Sequence, residues 1–284
     1  MDGLDILVRS LSGLVPRGPE QVMWQYHSRS DHHSKVACWG VLFDLLQTSG
    51  LLREHFRTGK VVFGVNHKMR DYTRNKSKAL DLVVARPDTS ARISRRPRTL
   101  ASLVDDWAID LQPDQQRRLA TLPVATEGPV SSVHLALEAK AAMTAHSKAL
   151  PRLFDELNSS HQIVHGASSH ALSVGFVMVN AADTFYSPGR NLGADSTTAT
   201  IASEHRQPYD AVRTVQHVQT LPRRGGASDT GYDGLAIVVV RMTNDGSPVE
   251  LVDDSPAPGH SSVWDYEQTI LRVAGEYDAA FRRV

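Results

Sequence analysis

The segment from Ala171 to Asn180 carries Leu172, Val174, Phe176, Val177, Met178 and Val179 and no charged residue. A run this short, rich in β-branched and aromatic side chains, reads as a strand, and its near-continuous apolarity places it at the centre of a sheet with both faces covered. Other elements group around it. From Ser34 to Leu52 the apolar positions Val36, Ala37, Val41, Leu42, Leu45 and Leu46 recur at helical spacing, with Ser34 as N-cap and Gly50 as stop. Val61–Val65 and Leu80–Val84 predict two strands of a meander, Val133–Ala139 a buried strand, residues 141–157 a helix and Leu235–Arg241 another strand. Ser262 is the expected cap of a final amphipathic helix carrying Val263, Tyr266, Ile270, Ala274, Tyr277 and Phe281.

This pattern predicts an α/β chain with a mixed central sheet flanked by helices. The 284 residues are read as one domain with a core over about residues 30–180, an insertion over 88–130 and a C-terminal extension over 187–284. Helices are expected within the insertion from Ser102 to Ile109 and around Gln112 to Thr121, and long loops over residues 187–233. The apolar content of 41% and charged content of 22% argue against disorder. Cys38 is the only cysteine, which rules out a disulfide within the chain and fits a reducing compartment. With no apolar run of membrane-spanning length, the expectation is a cytoplasmic protein without a membrane partner.

Net charge is zero, yet it is unevenly spread. Between Arg53 and Arg98 thirteen Lys or Arg stand against Glu54, Asp71, Asp81 and Asp88, a local excess of +9 that the rest of the chain must balance. Such asymmetry suits a protein that holds a polyanion on one face. A solvated basic surface is the plainer alternative. Arg74, Lys76 and Lys78, with Arg223 and Arg224 further along, are the candidate DNA contacts.

The chemistry is concentrated in Leu135-Ala136-Leu137-Glu138-Ala139-Lys140, where two opposite charges stand two residues apart in an apolar strand and so share one face. Buried charges cost several kcal/mol unless paired or bound to a metal. Asp81 opens the strand Leu82-Val83-Val84, and two carboxylates on adjacent strands can share one divalent cation. Oxygen ligands and a phosphate substrate select a hard ion, Mg2+ or Mn2+, which activates water and offsets charge on the phosphate. Lys140 can orient the attacking water and stabilise the same charge.

The order of elements, with Asp81 on one strand and Glu138-Ala139-Lys140 on another, resembles the PD-(D/E)XK nuclease superfamily, which includes many restriction endonucleases. The resemblance spans about residues 30–180. It implies a restriction-endonuclease-like fold, divalent-metal-dependent hydrolysis of DNA phosphodiesters, Asp81 and Glu138 as metal ligands and Lys140 as the water-activating lysine. Leu80 stands where the family often has proline, and residues 88–130 must be an insertion to account for the long gap between Asp81 and Glu138. If they are not, Asp105, Asp106 or Asp110 is the partner of Glu138. Asp44 and Glu54 are candidates for a further carboxylate, with a solvated helix face and a local pair with Arg53 or Arg57 as their plainer roles. An endonuclease of restriction or phage defence that cuts double-stranded DNA would favour a homodimer, with the C-terminal helix as an interface or as ordinary packing. The alternatives are an inactive nucleic-acid-binding module and a nuclease acting on RNA or modified DNA.

Other constellations carry less. His27, His32 and His33 with Cys38 lack the spacing of a known zinc finger, and the segment reads better as a polar lead-in to the first helix that approaches the DNA or the site. His161, His165 and His170 lie among serines without a nucleophile elbow. The glycine loops at Asn191–Gly193 and Arg224–Gly226 lack the flanking strand and helix of a phosphate loop.

Overall fold

The computed structural model describes residues 1–284 apart from 18–20, 73–74, 92–93, 95, 227–228 and 284. In chain order the elements are α1 (Gly3–Ser12), β1 (Val15–Arg17), β2 (Val22–Trp24), α2 (His32–Thr48), α3 (Gly50–Arg57), β3 (Val62–Asp71), β4 (Lys76–Pro87), α4 (Leu103–Asp106), α5 (Pro113–Thr121) and β5 (Val130–Ala142). There follow α6 (His146–Ala167), β6 (Leu172–Asn180), β7 (Thr184–Tyr186), β8 (Ala202–Glu204), α7 (Tyr209–Val218), β9 (Gly234–Arg241), β10 (Glu250–Leu251) and α8 (Tyr266–Ala280).

Six strands form one sheet in the order β10-β9-β6-β5-β4-β3. β5, β6 and β9 run parallel, while β3, β4 and β10 pair antiparallel with their neighbours. The apolar run at 172–180 is an interior strand, and every residue of it is buried. On one face Leu82, Leu137, Phe176 and Val238 pack with Trp39 and Phe43 of α2 and Ile270 of α8. On the other, Val177, Ile237 and Val239 meet Leu153 and Leu157 of α6 and Val215 of α7. α2 is buried almost all round, as befits a helix pressed between α1, α8 and the sheet.

Several boundaries depart from expectation. α2 starts at His32, and Ser34 lies inside its first turn, donating its hydroxyl to the Asp31 carbonyl at 2.9 Å. Its stop is Ser49, which turns the chain extended and caps α3 by accepting from the Leu52 N–H at 2.9 Å, while Gly50 begins that next helix. The helix expected from residue 141 starts only at His146, because Ala141 and Ala142 remain paired with Met178 and Val179 of β6. Ladder bonds outweigh alanine's helix preference there. Asp265, not Ser262, caps α8, accepting from the Gln268 N–H at 3.0 Å, and Val263 lies outside the helix and exposed.

The insertion at 88–130 is not a surface loop. Leu100, Leu103, Trp107 and Ile109 join the main core, and the indole N–H of Trp39 donates to the Leu100 carbonyl at 2.8 Å. The expected helix from Ser102 to Ile109 is a single turn, broken where Ala108 adopts φ 51°. β9 and α8, from the C-terminal extension, complete the sheet and the core, so the apolar face of α8 is spent within the protomer. Among the described residues no helix is long and apolar enough to cross a membrane.

Candidate active site

The antiparallel ladder between β4 and β5 runs through Val84↔Leu135, Val83↔Ala136 and Leu82↔Leu137. Continued by one step, that register sets Asp81 opposite Glu138. The ladder ends there, and the Asp81 carboxylate takes its place by accepting from the Ala139 N–H at 2.9 Å. Pairing lapses on the other side of β4 as well. The β3–β4 ladder passes from Val65↔Leu82 to His67↔Leu80 and skips Asn66, which adopts φ 51°, a conformation Asn tolerates better than most residues. Side-chain alternation slips at this point, because Leu80 and Val83, three residues apart, both face α6, while Leu82 and Val84 face α2.

Glu138 is 2% exposed. Its Oε1 accepts from Lys140 Nζ at 2.7 Å and lies 3.1 Å from Lys78 Nζ. Its Oε2 is buried and has no hydrogen-bond partner among the described residues. Lys140 also lies 3.7 Å from the Glu156 carboxylate of α6, which Arg152 holds at 2.6 Å. Lys78 donates to the Glu156 main-chain carbonyl at 2.7 Å, bridging β4 to α6.

Electrostatics follow from this crowding. Burial, reinforced by the negative charge of Glu138, pushes the Asp81 carboxyl up to about 6, against the opposing pull of the Ala139 N–H and the two lysines. Burial disfavours the Lys140 ammonium, but the Glu138 carboxylate, helped by Asp81 and Glu156, more than offsets it and raises Lys140 above its ordinary value. The Cys38 thiol of α2 lies beneath the site and is pushed well up, first by burial and then by Asp81 and Glu138.

Two clefts meet at Lys140 and Glu156. The larger, about 610 Å3, has Asp81 in its floor, Tyr26, Arg29 and His33 on one wall and Lys148 and Arg152 on the other. The smaller, about 420 Å3, is lined by Lys78, Glu138 and Asp155 among others. The polar lead-in before α2 thus forms a wall of the candidate site.

Asp81, Glu138 and Lys140 are therefore brought together. Asp105, Asp106 and Asp110 are not part of the group; they belong to the insertion, where Asp110 pairs with Arg9 at 3.3 Å. Asp44 is buried elsewhere, accepting from the Asp2 and Gly3 N–H groups at 3.0 and 2.9 Å and from the Tyr266 hydroxyl at 2.8 Å. Glu54 makes a local exposed pair with Arg57. Of the candidate DNA contacts, Lys76 is exposed at the start of β4, Lys78 is drawn into the site, and Arg74 lies outside the described residues. Arg224 is buried and staples the end of α6 to β9 through the Ser169 carbonyl at 2.8 Å and Asp233 at 3.6 Å. Arg223 lies over the Trp264 ring at 5.2 Å.

His161 bonds to Asn158 at 2.9 Å within α6, and His165 ties α6 to the Gly231 carbonyl before β9 at 2.8 Å, both structural roles. Among the described residues no three His, Cys, Asp or Glu side chains converge as a metal-ligating group. Sequence reasoning did not place Glu156 or Arg152 at the site, although their four-residue spacing marks them as a helical pair. Lys78 was hidden for a geometric reason: on a regular strand, positions 78 and 81 face opposite ways. Comparison with models of known protein families, with curated proteins and with solved structures found no match.

Proposed function

We propose that this chain is a divalent-metal-dependent nuclease of restriction-endonuclease-like fold that hydrolyses DNA phosphodiesters, with Asp81 and Glu138 as cation ligands and Lys140 as the catalytic cation. The observation that carries this reading is the Glu138 carboxylate, buried with two lysines on Oε1 and, among the described residues, no hydrogen-bond partner on Oε2, across from the Asp81 carboxylate. An orphaned buried carboxylate oxygen is costly and points to a missing partner. Two hard oxygen donors suit Mg2+ or Mn2+ and leave most of the coordination shell to water and phosphate.

When bound, the cation lowers the pKa of coordinated water and offsets charge developing on the phosphate. The remaining work falls to the protein. Asp81, fixed by the Ala139 N–H, presents its carboxylate at the floor of the larger cleft. Lys140 keeps a full positive charge at Nζ on the wall shared by both clefts, where it orients the nucleophile and stabilises negative charge on the phosphate. Arg29, Lys148 and Arg152 line the approach and attract the phosphate backbone.

The test is incubation of purified protein with supercoiled plasmid and with RNA, with and without Mg2+ or Mn2+. Nicking or linearisation of plasmid that requires the cation and disappears in Lys140→Ala supports the reading. Intact plasmid in both metals defeats it, and metal-dependent cleavage of RNA alone moves the substrate.

A further inference from the structure

Two ammonium groups address one carboxylate oxygen of Glu138 while its other oxygen has no partner among the described residues. Lys140 and Lys78 both address Glu138 Oε1, but they are held differently. Lys78 Nζ is tethered by the Glu156 main-chain carbonyl at 2.7 Å, its side chain is 17% exposed, and it lines only the smaller cleft. Lys140 has as its second hold a looser 3.7 Å pair to the Glu156 carboxylate, and it lines both clefts. Lys78 is anchored by a main-chain carbonyl, whereas Lys140, among the described residues, is held by carboxylates alone and stands where the two clefts meet.

We propose that Lys78 is the resident counter-ion of Glu138: it neutralises the buried carboxylate while no cation is bound, competes with the cation for that carboxylate, and leaves Lys140 available to the reaction. This inference rests on the reading of Asp81 and Glu138 as cation ligands. Lys78 touches no reacting atom, so it is a positioning residue.

The physical argument is one of competing charges. A carboxylate carrying two ammonium groups on one side attracts a divalent ion less than a carboxylate carrying one. Removing Lys78 therefore strengthens cation binding. It also leaves Glu138 holding Lys140 as its sole protein counter-ion, which pins Lys140 and slows the chemical step. This pairing of tighter cation binding with slower turnover separates the role from two simpler ones. A merely structural lysine would loosen the site and weaken both quantities. A DNA-contacting lysine would alter the salt dependence of DNA binding and leave cation affinity unchanged.

The experiment is a calorimetric titration of Mg2+ into DNA-free wild type, Lys78→Met and Lys78→Arg, with single-turnover cleavage measured on the same proteins. Lys78→Met is expected to bind Mg2+ about tenfold more tightly and to cleave more slowly, and Lys78→Arg to restore wild-type values. Thermal unfolding gives a second readout: the gain in Tm on adding Mg2+ should be larger for Lys78→Met than for wild type. Should Lys78→Met fail to fold without a cation, refolding by Mg2+ supports the inference, and recovery only in Lys78→Met/Glu138→Gln, with no response of the single variant to Mg2+, overturns it. Wild type that binds Mg2+ while folded Lys78→Met binds it equally or more weakly overturns this inference alone. Wild type that neither binds Mg2+ nor cleaves overturns the nuclease reading itself.

Discussion

The Asp81 carboxylate accepts the Ala139 N–H at 2.9 Å, so a side chain of one strand stands where a backbone carbonyl would otherwise continue the ladder. Asp81→Asn keeps an acceptor for that N–H and removes the charge. Cation affinity and cleavage should both fall sharply, whereas Asp105→Asn, Asp106→Asn and Asp110→Asn stay active. Plasmid nicking by the four variants decides the matter, and an inactive insertion variant beside an active Asp81→Asn would overturn the assignment.

The same substitution should stabilise the cation-free protein. The folded carboxyl titrates at about 6 against an ordinary 3.8, so the folded state holds its proton more tightly than the unfolded chain does. Stability contributed by that proton is present below the unfolded value and is lost as pH rises through about 6. Above that range Asp81→Asn is expected to melt about 2 to 4 °C higher for each kcal/mol recovered. Below pH 4 the two proteins should melt together. Melting curves at pH 4 and pH 7.5 without metal give the comparison.

Lys140→Ala should reduce cleavage by at least about 100-fold, the scale seen when one preorganised charge-stabilising donor is lost. Folding should persist, because Lys78 still sits 3.1 Å from Glu138 Oε1. DNA affinity, followed by gel shift in Ca2+, should change little. Wild-type cleavage by this variant would remove the motif from consideration.

Acid should destabilise the fold through three buried histidines. His134, packed on the Phe281 ring at 4.4 Å, and likewise His146 and His161, are each held down to about 4 by burial. The unfolded chain binds these protons first, so stability is lost as pH falls from about 6.5 toward 4, by about 1.4 kcal/mol per pH unit for each proton. Urea titrations across that range should show the slope, and His134→Phe should make it shallower. An unchanged slope would mean that His134 titrates normally.

Salt dependence locates the DNA surface. On the geometry of the larger cleft, Arg29→Ala and Lys148→Ala should each lower the slope of log affinity against log salt by about one. Arg224→Ala should leave that slope alone and unfold the protein more readily, since it leaves the buried Asp233 carboxylate with, among the described residues, only the Ser173 N–H and His165 beside it. An unchanged slope for both cleft variants would put the DNA elsewhere, with exposed Lys76 the next position to test.

The sheet was legible because its signals are local. The uncharged run at 172–180 marked an interior strand, and the two-residue spacing of Glu138 and Lys140 fixed their common side. What escaped is whatever depends on an interruption of regularity. Arg224 sits in a glycine-rich, basic stretch that looks solvent-facing, yet Asp233 and the Ser169 carbonyl bury it, and neither partner is near in sequence. The insertion's share of the core was not legible because its apolar residues follow no single period; Leu100 and Trp107 reach the core from irregular chain. Lys78 and Asp81 both border Glu138 although three positions separate them, because the alternation slips between Leu80 and Val83.

The left-handed Asn66 across from Asp81 gives that slip a practical edge. Anyone seeking a more robust protein would be tempted to regularise the hairpin, exchanging Asn66 for a β-branched residue that prefers an extended backbone. Val at this position disfavours the φ of 51° that Asn66 adopts, and an extended residue there would pair with Asp81 in the register already set by Val65↔Leu82 and His67↔Leu80, making it an ordinary ladder residue. The hairpin would gain order while the carboxylate lost its aim. Tolerance to Gly and intolerance to Val at residue 66 would then trace where this sheet keeps a deliberate fault.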